Sequence, residues 1–136
     1  MIEEETIMKR LALAVCALIG MAGAAAADPL EGIWRTAPDD NGNSGLVQVA
    51  PCGAQLCGQL VKAFGPDGAE IASPNLGRNI ISETVAKGGG EYRGRVFAPD
   101  NGKTYNSKLM LAGDRLSVSG CVLGFCREGG VWQKVQ

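Results

Sequence analysis

The sequence predicts an all-β fold, an antiparallel up-and-down barrel of about eight short strands braced by disulfides. Three observations carry that expectation. From residue 28 onward no apolar stripe of helical period persists, and β-branched and apolar residues come instead in short runs cut by Gly, Asn, Asp and Pro. Between the runs the turn chemistry is explicit: Asp40-Asn41-Gly42, Asp67-Gly68, Asp100-Asn101-Gly102 and Gly113-Asp114 all tolerate positive φ, and Asn-Gly between apolar runs is a strong hairpin signal. Finally, Cys52 and Cys57 form one C-x4-C pair, and Cys121 and Cys126 form another.

The first element is not part of that fold. Lys9 and Arg10 precede a stretch from Leu11 to Ala27 without a charged side chain, ending in Ala24, Ala25, Ala26 and Ala27. Two cations, an apolar run and small residues are the parts of a cleavable secretion signal, expected over 1–27 with the cut before Asp28. Glu3, Glu4 and Glu5 do not suit its basic start, which makes Met8 an alternative initiator. A membrane anchor is the competing reading, but this run falls short of the roughly 20 apolar residues a span needs. Attachment of lipid through Cys16 is disfavoured by Val15, where a small residue is required.

Residues 28–136 remain, a size suited to one modest core. They carry 11 basic and 11 acidic side chains, and without a basic surplus a nucleic-acid partner is not expected. Strands are predicted near 31–37, 45–51, 56–64, 78–86, 91–98, 103–111, 115–122 and 130–135, with a short helix as the alternative for 78–86. The longest irregular stretch is 65–77, with Pro66 and Pro74, and Lys87 to Gly90 forms a tip. A sandwich would satisfy the same pattern. The barrel is favoured because closure removes the edge strands that invite aggregation.

Four cysteines in an exported chain read as disulfides, since a four-thiolate zinc site favours closer spacing and reducing compartments. Hairpin geometry pairs Cys52 with Cys57 and Cys121 with Cys126. Chain entropy alone favours a link between the hairpins, about 4.5 kcal/mol against about 2 for a short ring, but local geometry decides for the hairpin pairing, with the long link as the alternative.

Histidine is absent, which removes Ser-His-Asp and Cys-His nucleophile systems and imidazole metal sites. Asp39, Asp40, Asp67 and Asp100 sit in turn signals and read as solvated turn residues rather than a catalytic carboxylate pair. The segment from Asp39 to Asn43 is rich in oxygen but lacks the alternation and closing Glu of a calcium loop. Gly102-Lys103-Thr104 has the end of a phosphate-binding loop, yet Phe97 stands where its first glycine belongs. No cofactor, no metal and no catalytic residue is therefore expected. Trp34 and Trp132 lie on the first and last strands, which are neighbours in an up-and-down barrel. Trp34 and the final strand, with Lys134, are therefore expected to pack together and close one end with a cationic stem over the ring, a plain core role for both tryptophans being favoured over ligand contact.

Gly32-x-Trp34, the segment from Pro51 to Gly58, Asn75 and Arg78, the run from Pro99 to Tyr105, and Gly120-Cys121 leading to Cys126 and Trp132 occur in an order and spacing with a precedent. Over nearly the whole of 28–136 the chain resembles domain of unknown function family 2147, small exported bacterial proteins. The resemblance implies a lipocalin-like (calycin-like) β-barrel in the periplasm and no established reaction. The chain departs from the family pattern at Ala72-Ser73-Pro74, at Tyr92 and at Lys134.

The function expected is a non-enzymatic periplasmic carrier of a small, partly apolar ligand, no longer attached to a membrane once the signal is removed. Trp34 and Tyr105 are the candidate pocket wall, and Arg78 the candidate anchor for an anionic group. The alternative is a protein-protein module with an envelope partner, such as a hydrolase inhibitor or cell-envelope accessory factor. A deep cavity favours the first; a filled interior with one protruding ordered loop favours the second.

Overall fold

A computed structural model describes residues 26–136; the expected secretion signal lies outside the described residues apart from Ala26 and Ala27. The strands are β1 (Gly32–Arg35), β2 (Ser44–Cys52), β3 (Gln55–Phe64), β4 (Glu70–Ile71), β5 (Asn79–Gly88), β6 (Glu91–Ala98), β7 (Lys103–Ala112), β8 (Arg115–Val122) and β9 (Phe125–Lys134). All pairings are antiparallel, in the order β2-β1-β9-β8-β7-β6-β5-β3-β4, and the additional pairing of β2 with β3 closes the sheet. Eight strands thus form an up-and-down barrel, and the two-residue β4 caps the far end of β3 at Ala63 and Phe64. Among the described residues no helix is long and apolar enough to cross a membrane.

Alternation explains the core. On β7 the side chains of Tyr105, Ser107, Leu109 and Leu111 share one face, and the buried Leu116 and Val118 continue it on β8. Val47 and Val49 on β2, Leu60 on β3, Ile81 on β5, Tyr92 and Val96 on β6, and Trp132 on β9 complete the interior. The segment 78–86 is strand rather than helix, with irregular registers between Ser82 and Val85 against β6. At that bulge Glu83 takes φ 49°, which turns Thr84 inward, fully buried. The bulge presses the carbonyls of Ser82 and Glu83 against Gly94, where any Cβ would collide with backbone.

Two differences from the sequence expectation concern β4 and β9. The stretch 65–77 contains the short β4, and the last strand begins at Phe125 rather than near 130. Leu123 and Gly124, with φ of 52° and 82°, make a two-residue turn that sends β9 straight back along β8. The bonded cysteines are Cys52–Cys57 and Cys121–Cys126, the hairpin connectivity. One closes the β2–β3 turn and the other the β8–β9 turn, at opposite ends of the barrel.

Candidate functional site

Strand direction divides the barrel into a plugged end and an open end. The plug is the segment before β1, where Leu30 is fully buried and accepts the indole N–H of Trp34 at its carbonyl, 2.8 Å away. Asp28 accepts the Leu30 N–H at 2.8 Å and the Tyr92 hydroxyl at 2.5 Å, and Lys134 Nζ donates to the Pro29 carbonyl at 3.0 Å. The same ammonium lies 5.7 Å from the Trp34 ring centroid, and Trp34 pairs with Lys134 in register, so the expected meeting of first and last strands holds.

At the other end the loops 36–43, 65–78 and 99–102 and the Leu123-Gly124 turn surround a cavity of about 880 Å³, broadly open to solvent. Its depth is apolar: Leu60, Ile80, Val96, Phe97, Val118 and Trp132. Higher up stands Tyr105, and Gly120, the register partner of Ser107, lies diagonally beside it, where a Cβ would come within 3.5–3.7 Å of the tyrosine side chain. The Tyr105 hydroxyl accepts a 2.8 Å hydrogen bond from the Asn101 amide in the β6–β7 loop, which fixes its direction.

The rim is polar. Asp39 spends one carboxylate oxygen on the N–H groups of Asn41 and Asn43, both at 2.9 Å, which makes it a turn residue. Asp100 stands across the mouth; slight burial first, then the negative charges of Asp40 and Asp39, raise its pKa above the ordinary carboxylate value. Among the described residues no group of three or more Cys, Asp or Glu could hold a metal ion.

Of the three residues expected to bind, only Tyr105 lines the cavity. Trp34 is corrected from wall to plug: it is fully buried beneath the cavity, and its indole N–H is consumed by Leu30. Arg78 does not line the cavity either; its guanidinium lies over the Phe97 ring at 4.3 Å, where it covers a wall residue. Trp132 and Arg127, not singled out from the sequence as binding residues, both line the cavity. Residues 125–129 escaped sequence reading because Arg127-Glu128-Gly129-Gly130 breaks the apolar alternation that marks a strand.

The rim also carries an apolar projection. Leu123 is 94% exposed and Phe125 84% exposed at the tip of the β8–β9 hairpin, directly beyond the Cys121–Cys126 bond. Phe125 and Val122 both line the cavity edge, so the projection continues its wall outward.

Comparison with known proteins gives two matches and one blank. Residues 32–134 match the family model described as "Uncharacterized protein conserved in bacteria (DUF2147)". Among solved structures, the chain is similar to HP1028 from the human pathogen Helicobacter pylori, a protein of the lipocalin family. The TM-score is 0.61 at 18% identity, over 79% of this chain and 83% of that one, a likeness of fold. No curated protein matches the chain.

Proposed function

We propose that this chain, which belongs to the DUF2147 family of bacterial proteins and has a lipocalin-like barrel, is a non-enzymatic periplasmic carrier of a small, partly apolar molecule. The observation that carries the reading is the cavity: about 880 Å³, apolar in its depth and polar at its rim, within the size range of small-ligand sites. A ligand with an apolar body and a hydrogen-bonding head fits that gradient, its body against Phe97, Val118 and Trp132 and its head near Asn101 and Arg127. Tyr105 bridges the two zones. The disulfides suit an oxidising compartment. Titration with phenylnaphthylamine, a neutral apolar fluorophore, tests the proposal: saturable binding at one probe per folded chain supports it, and no saturable binding overturns it.

A second reading, a protein-protein module with an envelope partner, has its own observation. Leu123 and Phe125 are held out to solvent on a disulfide-closed hairpin, the kind of ordered apolar projection a partner's pocket would receive. Leu123→Asp separates the two readings: it leaves probe affinity unchanged in a carrier and abolishes partner capture in a module.

A further inference from the structure

The plug at the closed end is organised around the backbone nitrogen of Asp28. That N–H donates to Glu31 Oε2 at 2.8 Å, while the Asp28 carbonyl accepts the Glu31 N–H at 2.9 Å, so the two residues clasp one another across a single turn. The Asp28 carboxylate is tied to Leu30 N–H and to the Tyr92 hydroxyl. Immediately before this anchored residue, Ala26 and Ala27 are exposed and outside any strand or turn.

The clasp thus forms at the residue where the sequence places the signal cut. We propose that the clasp is the docking site of the mature chain's own α-ammonium: cleavage between Ala27 and Asp28 converts the Asp28 N–H into a cation whose partner is the Glu31 carboxylate. The inference rests on the export reading and goes beyond it. The step is a hydrolysis by a signal peptidase. Water adds across the amide, the hydroxyl remains on Ala27 as a carboxylic acid, and the Asp28 nitrogen leaves as an amine that is protonated at neutral pH. Before the cut the nitrogen offers one hydrogen; after it, it offers three and a positive charge.

The charge balance supports the assignment. Asp28 and Glu31 bring two carboxylates to the plug, and Lys134 brings a cation whose Nζ is directed at the Pro29 carbonyl. The ammonium is the second positive charge, placed 2.8 Å from a carboxylate oxygen where the uncut chain has only an amide. The Glu31 carboxylate already accepts a charge-assisted bond from the amide; the ammonium adds a full positive charge on the donor and so turns that bond into an ion pair. The cut also lies at the end of the barrel opposite the cavity mouth, so processing tightens the plug without touching the rim.

The test combines N-terminal sequencing of the exported protein with a stability cycle. Two oxidised chains are compared, one beginning at Asp28 and one at Ala26, each with and without Glu31→Gln. If the ammonium docks, the exported chain begins at Asp28, and Glu31→Gln raises the unfolding constant about two- to fivefold more in the Asp28 chain than in the Ala26 chain. An equal effect in both chains, with Asp28 confirmed as the exported N-terminus, overturns the ammonium assignment and leaves the export reading intact. An exported chain beginning elsewhere overturns both, whatever the cycle gives.

Discussion

The Tyr92 hydroxyl on β6 donates a 2.5 Å hydrogen bond to the carboxylate of Asp28, 64 residues earlier in the chain, and so pins the plug to the barrel wall. Burial first, then this bond and the negative charge of Asp28, raise the phenol's pKa well above its ordinary value. A raised pKa on a group that is neutral in the fold stabilises it fully below the unfolded value of about 10 and less as pH rises through the folded one. The thermal midpoint is therefore expected to fall once pH exceeds about 10. Tyr92→Phe should cost about 1–2 kcal/mol at neutral pH and show a shallower alkaline decline in the same melts. An unchanged decline in the variant would refute the linkage.

Trp132 lines the cavity and Trp34 lies in the plug beneath it, so the two indoles should report differently on an apolar probe. Phenylnaphthylamine is expected to quench the wild-type protein and Trp34→Phe, with most of the effect lost in Trp132→Phe. Tyr105→Ala should weaken the probe by about 1–2 kcal/mol through lost contact area. Quenching that survives Trp132→Phe and disappears with Trp34→Phe would place the probe at the wrong end.

Each disulfide closes a hairpin with a sequence separation of 5. For rings this short, replacing either pair by serine should cost about 2 kcal/mol in urea unfolding. Only loss of Cys121–Cys126 should also loosen the rim and shift probe affinity, because Cys52–Cys57 closes the opposite end. Equal effects of the two pairs on binding would contradict that division.

Ser107 faces the interior between Tyr105 and Leu109, only 1% exposed, and its hydroxyl has no partner among the described residues. A buried hydroxyl that makes no hydrogen bond contributes desolvation cost without return. Ser107→Ala is therefore expected to be neutral or stabilising by up to about 1 kcal/mol, and a clear loss of stability in denaturant titration would show that the hydroxyl is engaged.

The barrel was legible in the sequence because turns carry it: Asp40-Asn41-Gly42 and Asp100-Asn101-Gly102 announce reversals by chemistry that acts over three residues. The hairpin disulfides were legible for the same local reason. What escaped was set by distance. Leu123-Gly124 is a tight turn whose flanks, Phe125 to Gly130, have no alternation of their own; that segment becomes strand by pairing with an already regular β8. The site was half legible. Tyr105 and Trp34 both look like wall residues from composition, and only strand direction shows that one stands near the rim and the other beneath the floor. Arg78 was an exposed cation beside a loop, and its place over Phe97 depends on the pairing of β5 with β3 on one side and β6 on the other, which no local pattern encodes.

The bond from Ile33 N–H to the Gln136 carbonyl, 2.8 Å long, brings Gln136 beside the first strand at the plugged end, the end that also holds Asp28. The mouth, by contrast, is bounded only by internal loops. Anything fused at Gln136 therefore points away from the opening, and a tether there leaves the cavity accessible. The same adjacency makes the chain a candidate for circular permutation. A chain joined by a glycine linker from Gln136 to Asp28 and opened at Gly89 would preserve every strand neighbour.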